Sequence, residues 1–263
     1  MQKLILLVCL LVATLAVRAQ TDPAELSPPR HELTLTFGLQ WGYFGDRNLS
    51  PLHYHSGGTA FGLRYRRTAA GGHRWQTGLG VQLGKLNHAV HAEREDAPVR
   101  YGIDLYLGYL RRVGAGQDVR NWVGANVRSV ANLTFYDGSE AVTFLGLHGL
   151  EAAYANELRT GDRHRLSTEL SVPLFALLSR PPYTGWDKFI VDNSTNIPAI
   201  LTRGDWVPFG RFRGLRAAAA WSYDLSDRFT TTARYQLAYY ATKRRDPLRQ
   251  FDNTFSFSST LKF

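Results

Sequence analysis

The final fourteen residues constrain this chain more than any other stretch. From Gln250 to Phe263, the apolar Phe251, Phe255, Phe257, Leu261 and Phe263 alternate with the polar Asp252, Thr254, Ser256, Ser258, Thr260 and Lys262. A period of two places the two sets on opposite faces of one strand. Ser259 is the departure. The alternation runs to the last residue, whereas a terminus without a partner frays. A strand that is both terminal and strongly amphipathic needs something to cover its edge, and a sheet closed on itself supplies it. The expectation is therefore a barrel whose last strand pairs with its first.

The same period recurs along the chain. Leu33, Leu35, Phe37, Leu39, Trp41 and Tyr43 alternate with Thr34, Thr36, Gly38, Gln40 and Gly42. Further alternating segments start near Phe61, Trp75, Arg100, Val123, Ala141, Arg165, Leu215 and Phe229. With the terminal segment they predict an all-β, antiparallel up-and-down barrel of about ten strands. The segment Ala141 to Glu157 breaks the rule. Leu145 and Leu147 call for one face, and Leu150, Ala152 and Tyr154 call for the same face from the other parity. One extra residue near Gly149 reconciles them, which predicts a bulge there.

Alternation alone does not say which face meets water. An even number of strands, each long enough to cross a bilayer when tilted, points to a transmembrane barrel. Aromatic residues gather near strand ends, with Trp41 and Tyr43 at one level and Trp75, Tyr109, Trp221 and Phe263 at the other, as interfacial belts do. The connections alternate in length. With both termini periplasmic, the outer loops are Phe44–Gly58, Leu86–Pro98, Tyr136–Glu140, Ser179–Gly210 and Lys243–Gln250; four of the five are at least as long as any inner turn, and Tyr136–Glu140 is a tight Asp137-Gly138 hairpin. In these features the chain resembles the outer-membrane β-barrel proteins of Gram-negative bacteria, the porin-like class included. The resemblance implies residence in the cell outer membrane. It also implies that Phe257, Leu261 and Phe263 form the signal read by the barrel-assembly machinery.

The amino terminus fits export. Lys3 precedes an apolar run from Leu4 to Val17, and Val17-Arg18-Ala19 offers a cleavage site. The division expected is a signal peptide over 1–19, a Pro-rich periplasmic lead-in over 20–32 and the barrel over 33–263. The apolar run is too short to span a membrane as a helix. Cys9, the only cysteine, lies inside it, so the mature chain has no disulfide or thiol chemistry. Losing Lys3 and Arg18 takes the formal charge from +9 to +7. That balance suits outer-membrane lipid and lipopolysaccharide phosphates, and export removes nucleic acid as a partner. No cofactor motif is present.

Chemistry, if any, lies on the polar face or in the outer loops. The polar face carries Arg64, Arg66, Arg100, Arg128, Arg165, Arg216 and Arg234 with Asp104, Glu151, Glu169 and Asp224. In a narrow lumen these charges must pair, which predicts a salt-bridge network. Three arginines are then left to carbonyls, Tyr106 or water, and an anion-preferring pore is the competing reading. Glycines on that face, Gly78 among them, make room for the arginines. His53, His55, His88 and His91 in two outer loops are weak metal candidates. The loop over 179–210 carries Tyr183, Trp186, Phe189, Trp206 and Phe209, which either contact a ligand or fold over the mouth. Lys243, Arg244, Arg245 and Arg249 form a basic tip suited to lipopolysaccharide. Outer-rim enzymes on such barrels are lipid A-modifying enzymes, using His with Ser and an acid, or omptin-like proteases, using paired aspartates with an Asp–His pair. Neither motif is visible here. His148 and Glu151 are expected to share the lumen, with no Ser or Asp placed beside them by sequence. The function expected is non-enzymatic, a surface or structural role or a narrow solute channel.

Overall fold

A computed structural model of the chain describes residues 30–47, 52–88, 97–114, 118–136, 141–180, 188, 192–193, 195–242 and 247–263. The expected signal peptide and most of the lead-in lie outside these residues. Eleven strands follow in order. They are β1 (Arg30–Asp46), β2 (Tyr54–Thr68), β3 (Arg74–Asn87), β4 (Val99–Val113), β5 (Val119–Tyr136), β6 (Ala141–Arg159), β7 (His164–Ser179), β8 (Asp205–Pro208), β9 (Phe212–Asp224), β10 (Phe229–Thr242) and β11 (Leu248–Lys262). A short helix, α1 (Ile197–Thr202), precedes β8, capped by the Asn196 side chain, which accepts from the Ala199 N–H.

The sheet closes into a ten-stranded barrel. From β1 to β8 each strand pairs antiparallel with the next, β7 also pairs with β9, and β9, β10 and β11 continue the series. β8 and β9 occupy a single barrel position, since both run antiparallel to β7, opposite residues 175–178 and 164–171 respectively. The terminal strand pairs with the first along its length, from Glu32 opposite Lys262 to Asp46 opposite Leu248. His31 and Phe263 exchange backbone hydrogen bonds of 2.9 Å in both directions, which leaves the seam without an open edge. β1 starts at Arg30, so Arg30, His31 and Glu32 belong to the barrel and not to the lead-in.

The apolar parity faces outward. Leu35, Phe37, Leu39, Leu105, Leu107 and Val127 are exposed, while Thr34, Gln40, Asn126 and Ser256 are buried within. Water would not tolerate this arrangement and hydrocarbon requires it. The exposed Trp75, Tyr109, Trp221 and Phe263 mark the end that carries the termini, and exposed Trp41 with Tyr43 the loop end.

The expected bulge moves to a different strand. β6 holds an unbroken register against β5, while the β6–β7 register shifts between Leu150, opposite Phe175, and Glu151, opposite Pro173. The extra residue is Leu174 of β7. Pro173 has no N–H to give to the ladder, so an irregularity falls naturally beside it. Leu145 and Leu147 do not share a face with Leu150. They point into the barrel and are almost fully buried. The parity conflict in the sequence marks a change in what the lumen contains.

Candidate functional site

The lumen is layered along its axis. At the terminal end, Arg66 contacts Glu32 at 3.4 Å, Arg74 contacts Glu157 at 2.9 Å, and Asp224 receives both Arg165 at 2.8 Å and Lys262 at 2.5 Å. Arg74 also lies over the Trp122 ring, 3.2 Å from its centroid. The Trp122 indole donates to the Gly72 carbonyl at 2.8 Å. Gly72 holds φ at 77°, which the tight turn after β2 requires.

The next layer is centred on Glu169, which receives Arg234 at 2.7 Å, Arg64 at 3.3 Å and Arg66 at 3.7 Å. Above it Asp104 binds Arg128 at 2.7 Å and Arg216 at 3.0 Å. Glu151 holds the other side of Arg128 at 3.1 Å and accepts from Ser171 at 3.0 Å. Arg216 donates to the Tyr240 hydroxyl at 2.5 Å. Higher still, Arg100 faces Asp252 at 3.5 Å and donates to Asn132 at 3.0 Å.

All eleven charges anticipated for the lumen are therefore brought together: Arg64, Arg66, Arg100, Asp104, Arg128, Glu151, Arg165, Glu169, Arg216, Asp224 and Arg234. The expectation of three unmatched arginines is corrected. Glu32, Glu157 and Asp252 line the same space, so each of the seven arginines has a carboxylate within 4 Å. The signal for two of the added groups was in the sequence. Asp252 lies on the polar parity of the last strand, and Glu32 extends the parity of Thr34 and Thr36 by one step. Glu157 sits where the parity of β6 is hardest to read. The glycines do not all serve the arginines either. A Cβ at Gly78 would fall 2.4 Å from the Tyr106 ring, so Gly78 makes room for tyrosine.

The loop end of the lumen is apolar. Phe44, Leu86, Leu145, Leu147, Leu178, Val207, Phe212 and Leu248 form one buried cluster, with Leu86 and Leu248 at 0% exposure. Asp46 of β1 and Arg180 past β7 are joined across this level by an ion pair. Below the cluster lies a cavity of about 240 Å³ among the charged layers. Beside the upper layers lie spaces of about 10 and 20 Å³, around the size of a single water site.

The long loop contributes Val207 to the seal through pairing with Ala176, while Trp206 and Phe209 stay exposed at 67% and 40%. Tyr183, Trp186, Phe189, His91, Lys243, Arg244 and Arg245 lie outside the described residues. His53 hydrogen-bonds the Tyr43 hydroxyl and stacks on its ring, His55 meets the same ring edge-on, and His88 approaches Tyr54. Among the described residues no three His, Cys, Asp or Glu side chains converge as metal ligands.

One placement is reversed. His148 does not share the lumen with Glu151. It faces outward, directly opposite Ser129 of β5, whose Oγ lies 2.7 Å from its Nδ1.

No family model matches the sequence, and no curated protein matches it. Solved structures do. The outer membrane protease OmpT from Escherichia coli aligns over 93% of this chain and all of its own, at 6% identity and a TM-score of 0.50. The translocator domain of the autotransporter NalP from Neisseria meningitidis covers 95% of this chain and 93% of its own, at 10% identity and a TM-score of 0.45. Neisserial surface protein A covers 90% and 100%, at 9% identity and a TM-score of 0.39. At 6% identity the likeness to OmpT carries the fold alone, that of an outer-membrane β-barrel. With charges inside and an apolar band outside, the chain is an integral barrel of the outer membrane.

Proposed function

We propose that the chain is a non-conducting outer-membrane barrel whose lumen is a structural core and whose working surfaces are its exterior and its outer loops. The observation that carries this reading is the apolar seal over paired charges. Leu86 and Leu248 have no exposure, and an ion crossing that layer would shed its hydration among apolar side chains, where the charges of Asp46 and Arg180 are already matched to each other. Below the seal, the carboxylates of Asp104, Glu151 and Glu169 already hold the arginines that would select an anion.

In this reading Phe257, Leu261 and Phe263 present the terminal strand to the barrel-assembly machinery. Arg249 and the loop before it meet lipopolysaccharide phosphates. The narrow, anion-preferring channel is the second reading, and the cavity among the arginines favours it. Liposome swelling separates the two. Vesicles containing the refolded chain should swell no faster in small anionic solutes than empty vesicles, whereas a channel would give rapid, size-limited swelling.

A further inference from the structure

The bilayer-facing surface carries a polar pair that the lumen network does not use. Ser129 Oγ and His148 Nδ1 are 2.7 Å apart on adjacent strands. Their neighbours along the same row are Leu105 on β4 and Leu177 on β7. Polar side chains on a lipid-facing surface are costly and tend to be functional.

Depth gives the pair its meaning. The hydrogen-bonded row through Leu35 runs by Leu63, Leu79, Leu105, Ser129 and His148 to Leu177 on β7. In the other direction it runs by Ser259, Thr231 and Tyr223 to His164 on the same strand. A row that leaves β7 at His164 and returns at Leu177 has climbed toward the loop end, as strand tilt in a closed barrel demands. Shared evenly round the barrel, that climb brings Ser129 and His148 abreast of Trp41 in the loop-side aromatic belt. Aromatic belts sit at the boundary between headgroups and hydrocarbon, the depth at which the acyl esters of membrane lipids lie.

The surface just above the pair is covered. Phe144 and Gly146, which precede His148 on the outward face, are buried. Ser179, in register with Gly146, donates to the carbonyl of Arg203 at 2.7 Å. The chain following α1 thus lies against this side of the barrel, next to a half-buried nucleophile and base.

We propose that Ser129 and His148 are the nucleophile and general base of an acyl-ester hydrolase acting on outer-membrane lipid from the exterior of the barrel. This departs from the non-enzymatic role expected from sequence, where no serine stood beside His148. The Ser129 oxygen adds to the ester carbonyl while His148 takes its proton. The ester C–O bond then breaks, and His148 returns the proton to the departing alcohol. Water, deprotonated by His148, cleaves the acyl-serine, and the proton goes back to Ser129. The balance is ester plus water giving fatty acid plus alcohol, with no redox change.

The substrate ester has two sources, glycerophospholipid and lipopolysaccharide. The full mature chain should be refolded into phosphatidylethanolamine/phosphatidylglycerol vesicles and, separately, into vesicles containing lipopolysaccharide. Released fatty acid is measured by mass spectrometry, and a fluorophosphonate probe is mapped to its peptide. The expected result is release in at least one arm, which identifies the source, together with a probe adduct on Ser129. Ser129→Ala and His148→Gln should lower release by about a hundredfold or more, with an unchanged heat-modifiable gel shift reporting a folded barrel. Should a variant fail to fold, the wild-type adduct decides. No fatty acid from either arm, equal release from the folded variants, or no adduct on Ser129 would overturn the proposal.

Discussion

Replacing Asp104 by alanine removes one carboxylate from the lumen and leaves two cations short. Arg128 reaches both Asp104 oxygens, at 2.8 and 2.7 Å, and Arg216 approaches at 3.0 Å. The Asp104 side chain is 15% exposed, so little solvent screens these contacts. Breaking a buried ion pair from one side costs about 3–5 kcal/mol. Two contacts soften the loss here, because Arg128 keeps Glu151 at 3.1 Å and Arg216 keeps the Tyr240 hydroxyl. The cost should fall at the low end, about 3 kcal/mol. Urea titration of the barrel refolded into lipid vesicles, followed by tryptophan fluorescence, measures it. Asp162→Ala, at an exposed carboxylate in the turn between β6 and β7, is the control and should stay within about 0.5 kcal/mol of wild type. Equal effects of the two substitutions would mean that the lumen charges are solvated as surface charges are, and the structural role assigned to the network would fail.

The inside–outside assignment has its own test. Leu105→Arg should cost about 2 kcal/mol, since Leu105 faces hydrocarbon between the midplane and the loop-side belt. Tyr106→Gln should cost less, since Tyr106 faces inward beneath the Arg128 guanidinium, 4.6 Å from its ring centroid. The reverse order in the same vesicle titration would turn the barrel inside out. Deleting Phe263 removes the residue that closes the seam with His31 and should sharply lower outer-membrane levels in cells. Equal levels of truncated and full-length chains on membrane fractionation would count against its role in assembly.

The fold was readable from sequence because one rule, period two, holds along most of the strands, from β1 to β5 and again through much of β7, β9, β10 and β11. That rule also gathered eleven charges on the inner face, and it missed Glu32, Glu157 and Asp252, which pair with arginines there. It failed where the lumen changes character. Leu145 and Leu147 are apolar residues that point inward, so the strand carrying them looked out of register, and His148 was carried to the wrong face with them. The real bulge follows from Pro173, whose missing N–H is a sequence signal that the alternation masked. Ser129 and His148 are nineteen residues apart. Nothing in either strand alone announces that they meet, because cross-strand register is set by the hairpin between them. The apolar seal was equally hidden, since Phe44, Leu86, Val207 and Leu248 come from loop ends far apart in sequence and converge only when the barrel closes.

The closed lumen is the centre of this account, and single-channel recording in a planar lipid bilayer tests it most directly. The wild-type barrel should insert and pass almost no current, because Leu86, Leu248, Val207 and Phe212 seal the loop end above fully paired arginines. Asp104→Ala and Glu169→Ala should stay equally silent, because both lie below the seal and leave it in place. A large, steady conductance from the wild-type chain would contradict the account and make the barrel a pore.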